Sequence, residues 1–219
     1  MMGHRAETEF VGAPVGIMDQ FACSLADQRQ ALFLDASTGE YERVPLPAGA
    51  GLGVIDSGIA HDHATGQYGT RRRECEEAAA GLHIESLRDA SISDLPRVAT
   101  LPEPLNRRAR HVITENARVI RAVAALRAGD VAELGRLFFE SHASMRDDFA
   151  VSLPDIDLVV ALAAQQPGLY GARLTGGGFG GAIVVLGRPD VLASALATVL
   201  RQYRALTARD GRILLPATA

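Results

Sequence analysis

Apolar residues recur along this chain with two periods, roughly 3.6 and 2 residues, and the alternation between them sets out the elements. In GIMDQFACSLA (16–26), Ile17, Met18, Phe21, Ala22 and Leu25 share one helical face. That spacing predicts a helix with Asp19 at the edge of its buried stripe, partly desolvated. QALFLD (30–35) and YERVPL (41–46) flank ASTGE and predict a hairpin with Gly39 in the turn. After a linker, PAGAG (47–51), LGVIDS (52–57) reads as a buried, β-branched strand. Helical spacing then takes over. It predicts a helix over 66–82 stopped by Gly81 and a short one over 92–98 begun by a serine or aspartate cap. A long helix over 104–128 follows, its stripe running through Ala109, Val112, Ile113, Ala117, Ile120, Ala124 and Leu126, with Gly129 ending it. Helices over 131–149 and 153–166 come next, Pro154 suiting the first turn of the second. Strands over 170–175 and 182–187 enclose a glycine-rich turn; a helix over 189–206 and a strand over 212–216 complete the list. From residue 52 this order predicts an α+β fold, with helices on one face of a small antiparallel sheet.

Composition narrows the classes of function. The 219 residues are 47% hydrophobic and 22% charged, ordinary for a folded chain of one large domain or two small ones. Lysines and arginines number 22 against 26 acidic residues, a net charge of −4 without the basic excess of a nucleic-acid binder. No apolar run approaches the ~20 residues of a membrane span. The start, MMGHRAETEF, lacks a signal-peptide core. The expected setting is the reduced cytoplasm, with Cys23 and Cys75 as small core residues. HRAETEF opens with no strand or cap before it, which leads to the expectation of further residues upstream.

TGGGFGG (175–181) is the strongest local anomaly, since so many adjacent glycines are entropically costly. Gly176, Gly178 and Gly181 fit the G-x-G-x-x-G pattern, but AIVVLG reads as a strand where a dinucleotide site needs a helix. A strand–loop–strand glycine turn still offers backbone N–H groups to an anion; a tight hairpin without a ligand is the alternative. Asp19 stands just after a glycine-containing loop, suited either to proton acceptance or to complementing the helix dipole. Glu7 and Glu9 are candidate magnesium ligands or a solvated pair. Tyr68 precedes Arg71, Arg72 and Arg73, which match Glu74, Glu76 and Glu77 at helical spacing. His61 and His63 make a weak metal pair. Ser141, His142 and Ser144 fit neither a catalytic triad nor a nucleophile elbow, so His142 reads as a satisfied core residue.

Taken together, FVGAPVGIMDQF (10–21), QYGTRRRECE (67–76), RHVITENARV (110–119), SHASMRDDF (141–149) and GARLTGGGFGGAIVVL (171–186) resemble segments of the galactokinase family of GHMP kinases, in its order and spacing. The resemblance runs from about residue 5 to about residue 200. It implies a remnant of the family's N-terminal lobe over 1–50 and a ferredoxin-like C-terminal domain over 51–219. It implies ATP-dependent phosphorylation of D-galactose at the C1 hydroxyl, in the galactose (Leloir) pathway. By the same resemblance Asp19 is the proton acceptor, Gly16 and Tyr68 lie beside the sugar, and Glu7 is the magnesium ligand. Gly176, Gly177, Gly178 and Gly180 would lie near the phosphates. ATP and Mg2+ are the implied cofactors and galactose the small-molecule partner, with neither nucleic acid nor membrane. Two family motifs do not occur here, G-R-x-N-L-I-G-E-H-x-D-Y and P-x-G-x-G-L-S-S-S-A. PAGAGLG (47–53) echoes the second without its serines, and on the wrong side of Asp19. The chain therefore resembles the C-terminal three-fifths of a galactokinase, and low turnover is expected, because phosphoryl transfer depends on the cradle those motifs build. A non-catalytic sugar-binding or regulatory descendant is the alternative.

Overall fold

Two antiparallel sheets and seven α-helices organise the described part of the computed structural model, which comprises residues 10, 16–27, 29–59 and 64–214. In chain order they are α1 (Met18–Leu25), β1 (Gln30–Leu34), β2 (Tyr41–Pro45), β3 (Gly51–Asp56), α2 (Ala64–Gly81), α3 (Leu95–Val98), α4 (Leu105–Ala128), α5 (Val131–Asp147), α6 (Pro154–Ala164), β4 (Leu169–Thr175), β5 (Ala182–Gly187), α7 (Pro189–Thr207) and β6 (Arg212–Leu214). β1 and β2 form the predicted hairpin, Leu34 opposite Tyr41, with Gly39 at φ +75° in the turn. The larger sheet has the order β4-β5-β3-β6 and pairs Ile55 with Ile183 and Leu174 with Ile183. The hairpin lies within residues 1–50 and the four-stranded sheet beyond them.

Alternation along the central strands divides the packing. Ile183 and Val185 on β5, with Ile55 on β3, join Ile156 and Val159 of α6 and Leu196 and Val199 of α7 in the main core. Leu186, one position on, pairs in register with Leu52 and meets Ala125 of α4 and Leu134 of α5. A third cluster joins Ala78 and Ala79 of α2 and Leu82 just after it to Ala109 and Ile113 of α4.

Helix ends follow the signals in the sequence, with one exception. Gly129 caps α4 in the left-handed conformation, Asp130 caps α5 by accepting from the Glu133 N–H, and Pro154 and Pro189 open their helices. At the end of α2 the left-handed residue is His83, at φ +55°, and not Gly81. Gly81 is small for a packing reason: a Cβ there would lie 2.8 Å from Leu101 Cδ2.

Three expectations about burial fail. Ile120 is 59% exposed and Ala124 is exposed, while Arg108, His111, Val123 and Ala125 are buried. α4 packs its length against α2, α5 and β2 in turn, and each partner draws a different set of positions inward. Cys23 is exposed. Asp19 is exposed too, not half-sheltered, because α1 buries none of its residues and leans on β1 alone of the elements it chiefly meets.

His111 illustrates how burial sets a titration. Its ring stacks on Phe149 at 4.3 Å and Nδ1 lies 2.9 Å from Ser144 Oγ. Burial pushes its pKa down to about 4. The unfolded chain takes up this proton near pH 6.5 and the folded chain only near 4, so stability is lost as pH falls through that window, by up to about 3 kcal/mol. His111→Gln should flatten this acid limb in urea titrations at pH 7 and 4.5. Parallel losses in both proteins would refute the assignment.

Candidate functional site

The glycine turn is built by the register of the strands on either side. Thr175 pairs with Ala182, so residues 176–181 must bridge two adjacent strands. Gly176 and Gly178 adopt φ +84°, Gly180 +131° and Gly181 +83°, and Phe179 joins them at +59°. A bulky residue resists this conformation, so Phe179 must be held by its surroundings. Its N–H donates to the Val151 carbonyl at 2.7 Å, and its side chain packs against the main core. A Cβ on Gly178 would sit 2.6 Å from Val151 Cβ, so only glycine fits there. At the exit, the Gly181 carbonyl accepts from both the N–H and the hydroxyl of Ser57, and its own N–H reaches the Ile59 carbonyl at 3.2 Å.

These anchors divide the predicted phosphate-side residues. Gly178 and Gly180 are buried and Gly176 and Gly177 form an exposed tip. The tip N–H groups carry no hydrogen bond among the described residues, so their dipoles are available to an anion. Beside the tip stands Tyr68 of α2, 42% exposed, its Cδ2 3.9 Å from where a Cβ on Gly177 would be. The structure therefore brings two predicted groups together, an aromatic ring and a strip of free backbone donors.

The other candidates are dispersed. Gly16 and Asp19 are exposed at the entry to α1, which rests on the hairpin with Phe21 edge-on to Tyr41 at 6.3 Å. Glu7, Glu9, His61 and His63 lie outside the described residues. Among the described residues no three acidic, histidine or cysteine side chains stand together as a metal site.

Behind the tip is a charged network that helical spacing revealed only in part. Arg72 and Glu76 form the expected exposed pair at 2.9 Å. Arg71 instead turns inward, with Nη1 2.6 Å from Glu74 Oε2, where Arg108 Nε also arrives at 2.7 Å. Arg108 is 4% exposed and reaches the Asp148 carbonyl as well. Burial of Glu74 opposes its charge, but the hydrogen bonds from Arg108 and Arg71 outweigh this and hold its carboxyl below the usual range. Arg71–Glu74 is visible as an i, i+3 pair; Arg108 and the 148–151 backbone come from distant sequence and give no local signal. Next to Glu74, burial pushes the Cys75 thiol up to about 11, which makes it a poor nucleophile near neutrality.

His142 is the satisfied core residue its surroundings in sequence suggest. Nδ1 accepts the Leu174 N–H at 3.3 Å, leaving Nε2 to donate to Asp157 Oδ1 at 3.1 Å. Ser152 donates to the same carboxylate oxygen at 2.6 Å, so the serine serves the aspartate and not the histidine. Burial lowers the His142 pKa. The arrangement ties β4 to α5 immediately before the glycine turn.

Comparison with known proteins adds to this geometry. Residues 122–205 match the family model described as GHMP kinases C terminal. The chain is 43% identical to a galactokinase of Roseiflexus sp. (strain RS-1), across 97% of this chain and 56% of that protein. It is 41% identical to a galactokinase of Thermotoga neapolitana, across 93% of this chain and 57% of that one. Its fold superposes on the crystal structure of Lactococcus lactis galactokinase complexed with galactose with a TM-score of 0.91 at 30% identity, covering 97% of this chain and 57% of the other. The chain thus spans little more than half the length of the curated relatives it matches.

Proposed function

We propose that this chain serves ATP-dependent phosphorylation of D-galactose at the C1 hydroxyl, a reading supported by its match over 122–205 to the GHMP kinase C-terminal model and its similarity to galactokinases along nearly all of its length. The carrying observation is the meeting of Tyr68 with the exposed Gly176–Gly177 tip. A sugar can lie against an aromatic ring there while nearby N–H groups face a phosphoryl oxygen. Asp19, in the GIMDQ segment, is proposed to accept or orient the C1 hydroxyl proton, with the Gly16 backbone on the sugar side. ATP would supply the phosphoryl group. Gly176 and Gly177 fit such an anion by their free donors, while Gly178 and Gly180 shape the turn from behind. Magnesium is a different matter. The described residues offer it no ligand cluster, and Glu7, the residue that would hold it by resemblance, lies outside them.

The setting proposed is the cytoplasm. No helix among the described residues is long and apolar enough to cross a membrane, and the net charge of −4 does not favour nucleic acid. The 219 residues contain neither of the two family motifs that would cradle the nucleotide, so on their own they should turn over slowly.

Calorimetric titration of the purified chain with galactose, beside a coupled Mg-ATP assay, tests this reading. We expect measurable galactose binding that Tyr68→Ala weakens, with low turnover that Asp19→Asn removes. Absence of binding at concentrations on the order of 10 mM would sink the proposal. Turnover indifferent to Asp19→Asn would remove the aspartate from its role.

A further inference from the structure

We propose that Arg71 is a positioning residue, which clamps the glycine turn to the helix that carries Tyr68. Its role in substrate binding rests on the function proposed above; the clamp itself does not. One guanidinium touches three elements. Nη1 meets Glu74 on its own helix at 2.6 Å, Nη2 faces the Ala150 carbonyl at 3.4 Å, and Cζ stands 6.0 Å from the centre of the Phe179 ring. These contacts are not spread over unrelated surfaces. Ala150 adopts φ +53°, and this left-handed residue turns the chain so that the next carbonyl, that of Val151, accepts the Phe179 N–H. Arg71 therefore grips both sides of the hydrogen bond from Phe179 to Val151, which helps hold Phe179 in its unfavourable backbone conformation.

The helix side of the clamp is equally defined. Tyr68 precedes Arg71 by three positions, so both lie on neighbouring parts of one face of α2. Glu74 fixes the guanidinium, and Arg108 fixes Glu74 in turn. The Arg71 Nε atom is buried without a partner among the described residues, so the two outer nitrogens and the ring contact hold the group. Because Arg71 joins α2 to the segment that receives Phe179, this anchorage bears directly on the distance between the Tyr68 ring and Gly177. A lysine could not replace it. A single ammonium cannot reach a carboxylate, a carbonyl and an aromatic face in fixed directions at once.

Amide hydrogen exchange on the purified chain tests the clamp without any ligand. In Arg71→Met, which keeps the apolar stem, exchange of the bonded amides of Phe179 and Gly181 should quicken roughly tenfold, while α5 and α6 keep their protection. Arg71→Lys should recover little of the loss. Phe179→Leu, which removes the ring from the other side, should loosen the same residues, and the double variant should exchange no faster than the worse single one. Galactose titration supplies the second reading: at a temperature well below the variant's own midpoint, Arg71→Met should weaken binding several-fold. Unchanged exchange at Phe179 and Gly181, a loss of protection spread evenly over the chain, or additive effects in the double variant would overturn the clamp. If the unmutated chain binds no galactose, the proposed function falls, and the exchange data still decide the clamp.

Discussion

Gly135→Ala should destabilise the chain by about 3 kcal/mol or more, although the same change in a solvent-facing helix would be favourable. Gly135 lies in α5 and Gly171 in β4, and their backbones are in contact. A Cβ on Gly135 would run into the Tyr170 carbonyl, and one on Gly171 into the backbone of Gly135. Helix propensity favours alanine over glycine by about 1 kcal/mol. Overpacking against a side chain costs about 1–3 kcal/mol, and here the obstacle is backbone, which cannot rotate away. The clash therefore decides the sign. Gly69→Ala in α2 is the matched control, since nothing lies within 4 Å of a Cβ there; it should be neutral or stabilising by up to about 1 kcal/mol. Urea denaturation of both variants checks the pair. A stabilised Gly135→Ala chain would mean that α5 and β4 do not meet as described. Because β4 leads directly into the glycine turn, the damaged variant should also lose any galactose binding.

Arg108→Met should cost about 3 kcal/mol, because a buried carbonyl loses its donor and a half-buried carboxylate loses one of its two cations. Arg108 is fully enclosed between Glu74 and the Asp148 carbonyl. Removing it leaves the carboxylate with Arg71 alone and the carbonyl without its donor. Adding Glu74→Gln should restore part of the loss, because a neutral amide no longer needs a compensating charge. The measurement is a double-mutant cycle by chemical denaturation. If the double variant is worse than Arg108→Met by the full cost of Glu74→Gln alone, the two groups are independent and the network is wrongly drawn.

Much of this fold can be read from local pattern, and the exceptions share one cause. The hairpin, the strand at 51–56 and the strands around the glycine turn follow from alternation and turn residues, because a strand's period and a positive φ are properties of short segments. The strand after Gly181, where a dinucleotide site needs a helix, is likewise a local feature. Periodicity tells which side of a helix is apolar but not what covers it. α1 shows a clear stripe through Ile17, Phe21 and Leu25 and buries none of it. α4 meets successive partners, so Ile120 falls outside while Arg108 falls inside. The site divides in the same way. Its glycines and the Arg71–Glu74 pair are local features. The approach of Tyr68 to Gly177, and the capture of Phe179 by Val151, depend on chain segments far apart in sequence.

The dihedral angles of residues 176–181 carry a consequence for the thermodynamics of recognition. Val151, Ile59 and Ser57 impose that shape during folding, before any small molecule arrives. An anion bound as proposed would find its donors already aimed and freeze almost no chain motion, so preorganisation would leave more of the contact energy to appear as affinity. Association at such a preshaped turn should show only a small heat-capacity change, unlike a disordered segment that condenses around its guest.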